Sequence, residues 1–429
     1  MTSTKISSIA KACSDLNVLN CLLTYKQHQF VVFYDENHRI TVGSRKLDSD
    51  NWHFVQPSGF FIPERNRYSN VTEFDSHNYL TMAVDKDGYI HISGNMHVDP
   101  LIYYRSEYPL DIDSLCAVRH MTNERENRVT YPLFFKDHAG NLLFRYRDGM
   151  SGNGDDLYNI YDCQTKTWSR LLDSPLLNGE GERNGYARLP ISGPDGYWHM
   201  LWMWRETPNC ETNNNLSYAK SKDLIHWEKA NGEPIALPID IKRGDIIDPS
   251  PVKGGLINMS QELGFDNKGR VVITYHRYDE KGNSQAYIAQ FKHDSWIIKQ
   301  LSNWNFRWDF KGPGSIPADI IISAVKAIDN NRLEVEYHSS WCESGVWVID
   351  EDSLEVIEQK KYIPQLSEAN YKSNQPIHAN TVVHVIPSIN ESLKPINKYY
   401  LRWETLEIFR DVPHDEHVEP TTLELIEII

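Results

Sequence analysis

The 429-residue sequence carries 44 lysines and arginines against 59 aspartates and glutamates. The resulting formal net charge of −15 excludes a nucleic-acid partner, because phosphate binding needs clustered basic side chains. Hydrophobic residues make up 40% and aromatic residues 11%, enough for a large core and outside the range of disordered chains.

In chain order, the N-terminal stretch MTSTKISSIAKACSDLNVLN lacks the continuous apolar core of a signal peptide. No later apolar run approaches the roughly 20 residues of a membrane span. A soluble protein with no membrane partner is expected, and the compartment stays open. From about residue 31 a pattern recurs: a strand-like apolar run, a turn, a second strand, then a third ending near Trp. The turns read Asp35-Glu-Asn-His38, Asp85-Lys-Asp-Gly88, Asp137-His-Ala-Gly140, Gly193-Pro-Asp-Gly196, Asp266-Asn-Lys-Gly269 and Asp329-Asn-Asn-Arg332. Each sits between alternating segments such as YLTMAV and YIHIS, which is the grammar of hairpins whose turns tolerate positive φ. Third strands follow as LYNIYD before Trp168, LSYAKS before Trp227, AYIAQF before Trp296 and GVWVID at 345–350. The last unit includes YYLRWETLEIF at 399–409.

Seven units start near residues 31, 79, 132, 187, 262, 323 and 381, and no stretch shows helical periodicity. Such units cannot bury both sheet faces alone, so they stack radially and close into a ring. The expected fold is all-β, a single seven-bladed β-propeller of four-stranded antiparallel blades spanning residues 1–429 as one domain. The six cysteines (Cys13, Cys21, Cys116, Cys163, Cys210, Cys342) are scattered without a CxxC pair and form no disulfide framework.

The segment SKDLIHW, with Ser221, Asp223 and Trp227, looks like a degenerate Asp-box, the turn of sialidase-type propellers. More specific are FDSHNYLTMAVDKDGYIHISGNMHVDPLIYYRS (74–106), RVTYPLFF with FRYRDGMSGNG (128–154), MWRETPNCETN (203–213), TYHRYDEKGN (274–283) and LRWETL (401–406). Together these resemble the BNR-4 propeller family, which includes the ulvan lyases and related rhamnosyl-glucuronate lyases and glycosidases. The resemblance implies a polysaccharide lyase cleaving an acidic, ulvan-like polysaccharide at a rhamnose–uronate linkage by β-elimination. It implies a monomer that needs no cofactor for its chemistry. An acidic chain suits an anionic substrate poorly overall, but net charge governs solubility, and a local basic cleft is compatible with it.

β-Elimination on a uronate needs a base for the C5 proton, an acid for the leaving O4, and a group that stabilises the carboxylate as it becomes enolate-like. Histidine and tyrosine carry protons, and a guanidinium binds a carboxylate through two parallel hydrogen bonds. His77 in DSHN and His97 in GNMH lie 20 residues apart across one hairpin; Tyr131 in VTYP faces Arg147 in YRDG across the next. The resemblance implies that these four are the catalytic residues. By it, Arg147 neutralises the carboxylate, Tyr131 handles the leaving oxygen, and His77 or His97 takes the proton. Asn95, Tyr186, Arg205 and Glu206 are candidates for substrate binding, set against purely structural roles. The glycine-rich run GMSGNGDD (149–156) lacks the context of a phosphate loop and is expected at the rim.

His276, His338 and Cys342 offer imidazole and thiolate to a structural zinc or calcium ion, although their spacing matches no established zinc pattern. Two other functions compete. A glycoside hydrolase on the same propeller would need paired carboxylates, and Asp75, Asp148 and Glu206 form no evident pair. For a family hydrolase that uses a first-blade histidine, Gln29 rather than His28 falls at the relevant position. A non-catalytic carbohydrate-binding propeller would have no need of proton carriers.

Overall fold

The computed structural model describes residues 3–258, 260–329, 331–373, 378–390, 398–415 and 418–429. Strands account for 49% of the described residues and helix for 4%. Among the described residues the helical segments are five short 3₁₀ turns, and no helix is long and apolar enough to cross a membrane. The expected repeat starts fall on or beside strands: His28–Tyr34, Leu80–Val84, Val129–Lys136, Asn184–Ala187, Glu262–Phe265, Lys326–Ile328 and Thr381–Pro387. None of the six cysteines is in a disulfide.

The chain divides into two compact units, one comprising residues 1–149, 158–171 and 364–429 and the other 150–157 and 172–363. In the first unit, strands Leu80–Val84, Ile90–Gly94, Tyr103–Ser106 and Leu115–Ala117 form an antiparallel meander. Strands Cys21–Tyr25, His28–Tyr34, Ile40–Lys46 and His53–Val55 form another. A third sheet joins the two ends of the chain. Thr4–Ala12 pairs antiparallel with Thr421–Ile428, which continues into Tyr399–Leu406 and Thr381–Pro387. In the second unit, Glu262–Phe265 to Ser295–Gln300 and Lys326–Ile328 to Val356–Lys361 are two four-stranded meanders bridged in parallel at Phe265 and Lys326.

Several strands are buried along their whole length, Leu80–Val84 and Trp198–Arg205 among them. Burial on both faces explains why WHMLWMWR reads as a near-continuous apolar run rather than an alternation.

The turn aspartates explain why the hairpins recur. One oxygen of Asp85 accepts the amides of Asp87 and Tyr89, both at 2.9 Å, while the other meets His91 Nε2 at 3.2 Å. Asp266 accepts Lys268 and Arg270 amides at 2.9 and 2.8 Å, and its second oxygen takes Gln290 Nε2 at 2.7 Å. Asp35 and Asp279 repeat the device. Each carboxylate closes its own turn and ties it to a neighbouring strand. Of the turn at 329–332, Asn330 lies outside the described residues. The Asp-box-like segment folds as a turn too. Asp223 Oδ1 accepts the amides of Ile225 and His226, and Trp227 Nε1 donates to the Leu224 carbonyl.

Asp85 is 1% exposed and His91 fully buried, with His91 Nδ1 on the Tyr103 hydroxyl at 2.7 Å. Asp85→Ala strands one nitrogen of a buried imidazole and opens the turn. Loss of about 2–3 kcal/mol of unfolding free energy is expected in urea titration, with Asp85→Asn losing less because it still accepts the turn amides.

Candidate active site

Asp75 organises the site. It caps the 3₁₀ turn Ser76–Asn78, its Oδ1 accepting the His77 amide at 2.9 Å. The same oxygen meets His77 Nδ1 at 2.7 Å, and Oδ2 meets His97 Nδ1 at 2.5 Å. The two imidazoles therefore stack face to face, centroids 3.9 Å apart and planes 16° from parallel. His77 lies in a turn before its strand, where the sequence placed it at the strand's opening.

The backbone around His97 is held by unusual conformations. Gly94 has φ +147°, and a Cβ there would run into the Tyr79 carbonyl, so only glycine fits. The His97 amide donates to Asp99 Oδ2 at 3.0 Å, and its carbonyl accepts from Arg65 at 2.8 Å. Val98, at φ +62°, donates its amide to the Thr130 hydroxyl oxygen at 2.9 Å. A β-branched residue in the left-handed region is costly and persists only where its surroundings impose it.

Tyr131 and Arg147 sit together as expected. Thr130 pairs with Arg147, and a bulge between Thr130 and Leu133 leaves Tyr131 at φ +58°. Such bulges re-aim side chains. The Tyr131 hydroxyl lies 3.1 Å from His77 Nε2. The Arg147 guanidinium packs against the Tyr131 ring, 5.0 Å from its centroid, and donates to Thr130 Oγ1 at 3.0 Å. Arg147 is only 2% exposed. Its charge thus lies behind the phenol.

Burial pushes the Asp75 carboxyl up, but hydrogen bonds from His77 and His97 outweigh it and hold the group well below the usual carboxylate range. Burial lowers His97, and the nearby His77 and Arg147 add to this against the opposing hydrogen bond from Asp75. With both Nδ1 atoms facing one carboxylate, the Nε2 atoms are left as the proton acceptors, and that of His77 faces the tyrosine hydroxyl.

The other predicted site residues have structural partners. Asn95 is fully buried at φ +61°, its amide donating to the Ser69 and Val71 carbonyls, both at 2.9 Å. It fixes a turn. In the second unit, the buried Arg205 donates to the carbonyls of Thr207 and Pro208 and stacks on Tyr186. The Tyr186 hydroxyl meets Ser151 Oγ at 2.8 Å. Glu206 accepts from Arg183 at 3.0 Å and Asn214 at 2.8 Å. These groups secure backbone ends and one another. The run 149–156 is taken up by the ends of two strands and the turn between them. Gln29 is buried on Thr24 and Arg45, and His28 beside it is partly exposed.

The proposed metal set does not assemble. The fully buried His276 packs against Trp308; His338 Nδ1 meets Ser344 Oγ at 3.0 Å; half-buried Cys342 packs on an apolar cluster. Facing strands set these side chains toward different neighbours. Among the described residues, the group of three or more ligand-type side chains close enough to share an ion is Asp75, His77 and His97. Their geometry is that of a hydrogen-bonded dyad, because near-parallel rings aim their in-plane lone pairs side by side rather than at one point.

Sequence reasoning missed Asp75 as an organiser, although DSHN is a recognisable cap. It missed Asp411, which accepts from Ser76 and approaches His77, because nothing local signals a partner 335 residues away.

The chain is an all-β protein in which two histidines, a tyrosine and an arginine gather around one carboxylate. Residues 28–304 match the family described as BNR repeat-containing family member, and the chain belongs to that family. It is 26% identical over 185 residues to the long isoforms of ulvan lyase from Alteromonas sp. (strain LOR) and Pseudoalteromonas sp. (strain PLSV). Each match takes in 38% of this chain and 18% of the relative's length. The structure resembles that of polysaccharide lyase Uly1 (TM-score 0.60, 14% identity, 96% of this chain and 90% of the other). It equally resembles a PL25 ulvan lyase (TM-score 0.61, 14% identity, 94% and 93%), also solved bound to -[GlcA(1-4)Rha3S]-.

Burial sets the His276 imidazole at about 4, against about 6.5 when unfolded. The unfolded chain therefore takes the proton first. The stability His276 contributes is fully present above about pH 6.5 and is lost as pH falls toward 4, up to about 3 kcal/mol. Urea midpoints measured from pH 7 to 4.5 should fall less steeply for His276→Gln than for the native chain.

Proposed function

We propose that this protein is a polysaccharide lyase that cleaves an acidic, uronate-containing polysaccharide by β-elimination, leaving an unsaturated uronate end. The observation that carries this is the set formed by two stacked histidines on one carboxylate, a tyrosine hydroxyl on one of them and a buried arginine behind the phenol. The ulvan lyases among its relatives support an ulvan-like substrate with rhamnose–uronate linkages. The four-stranded meanders, and the fold shared with lyases over most of both chains, support a single seven-bladed propeller.

In this mechanism neutral His97 accepts the C5 proton. The C–H electrons form the C4–C5 double bond as the C4–O4 bond breaks, and Tyr131 gives its phenolic proton to O4. His77 Nε2, on the Tyr131 hydroxyl, relays a proton from solvent to the phenolate, and His97 releases the C5 proton to water, which restores both groups. Arg147 stabilises negative charge on the phenolate and on the enolate-like carboxylate at short range, in a site where burial strengthens its field. The chemistry is carried by side chains alone. A carboxylate-pair hydrolase fits less well, since Asp75 is held ionised and Asp148 is paired with Arg125 at 2.8 Å, leaving neither as a general acid.

The assay is the ultraviolet absorbance of the unsaturated product. Tyr131→Phe and His97→Ala should each lower kcat by about 10²–10⁴. Arg147→Ala should lose a comparable amount, and Arg147→Lys should recover little, because an ammonium neither stacks on the ring nor keeps the planar donor to Thr130. Reducing ends released without absorbance would mean hydrolysis and sink the assignment.

A further inference from the structure

Among the described residues, the loop at 407–414 brings the last repeat to the site. Val412 N donates to the Phe409 carbonyl at 3.0 Å, and the two residues between, Arg410 and Asp411, have φ of +52° and +59°. That is the pattern of a type I′ turn, which ordinarily recruits Asn, Asp or Gly. Arginine there carries a conformational cost, and such strain persists only where the surroundings impose it. His414 supplies part of that restraint, with Nε2 at 2.9 Å from the Glu407 carbonyl and its ring against Phe409.

The turn aims Asp411. Its Oδ1 lies 3.2 Å from the Ser76 amide and 2.7 Å from the Ser76 hydroxyl, accepting from both. Its Oδ2 lies 3.7 Å from His77 Nδ1. The Asp411 side chain is about 10% exposed, so little water screens its charge. Asp75 serves both histidines through one oxygen each, whereas Asp411 approaches His77.

We propose that Asp411 is a positioning residue that grips the turn carrying His77 and distinguishes it electrostatically from His97, so that two stacked histidines on one carboxylate take different proton-transfer tasks. The proposal rests on the lyase reading for its catalytic consequence but not for its geometry. Facing His77 are Asp75 and Asp411 on the Nδ1 side, Tyr131 on Nε2 and the His97 ring on one face, with Arg147 behind Tyr131. Removing the Asp411 side chain therefore takes a carboxylate away from His77 while leaving His97 with its own partner.

The test uses the full chain with Asp411→Asn, Asp411→Ala and Ser76→Ala. Asparagine keeps an acceptor for Ser76 and loses the charge; alanine loses both. Asp411→Ala should lower kcat about 10- to 100-fold with KM nearly unchanged, the size expected when a catalytic group is mispositioned. Asp411→Asn should keep more of the rate while altering the pH profile of kcat. Ser76→Ala, which deletes one hydroxyl, should cost a few-fold in kcat and covers the case in which Asp411→Ala fails to fold. Nitrogen-15 NMR of the imidazoles gives a reading independent of turnover: Asp411→Asn should shift the His77 resonances and leave those of His97 in place. Unchanged kcat and pH profile in Asp411→Ala, or a shift shared equally by both histidines, overturns the proposal. A native protein that yields no unsaturated product overturns the lyase reading instead, and the NMR comparison then still decides the role of Asp411.

Discussion

A carboxylate lodged between two imidazoles has to stay ionised, and much of the first unit follows from that demand. Asp75 is pulled out of water, which alone would neutralise it, and two Nδ1–H donors reverse the balance. Those donors fix both rings, fix which nitrogen of each carries hydrogen, and turn the other nitrogens outward. The surrounding backbone accommodates the result at visible cost. Val98 and Tyr131 both sit in the left-handed region, and Gly94 occupies a position no side chain could share. Strain gathered within a few residues of a proton-transfer group is the form expected when geometry is selected over local stability.

Elsewhere, carboxylates do quieter work with the same logic. Asp35, Asp85, Asp266 and Asp279 each close a turn with one oxygen and reach a second strand with the other. An acidic chain of this kind therefore spends part of its negative charge internally. Net charge accordingly says little about what the site prefers to bind.

The hairpins were legible because their turn chemistry is local: a four-residue stretch of aspartate, asparagine and glycine is enough to mark most of them. His77, His97, Tyr131 and Arg147 were legible for a different reason, since each lies inside a block that resembles a family. Asn95 and Arg205 are harder to read, because polar residues at strand ends look alike whether they meet a sugar or a carbonyl, and buried backbone groups demand such partners. His276, His338 and Cys342 lie on strands of one sheet, but a shared sheet does not make side chains converge. Asp411 left no trace in the sequence at all. Its neighbourhood exists only once the C-terminal strands have paired.

That pairing has a consequence for how the molecule is made. Thr4–Ala12 is made well before its partner, Thr421–Ile428, since Lys11 and Thr422 stand 411 residues apart. Until that partner is in place the strand's buried face, including Ile9 and Ala12, has no sheet to join, and the turn that grips Ser76 does not yet exist. Both supports of the histidine pair thus wait on the same distant segment. A chain interrupted ahead of it would carry the histidines without their second carboxylate, so assembly of the site doubles as a check that the sheet holding Thr4–Ala12 has formed.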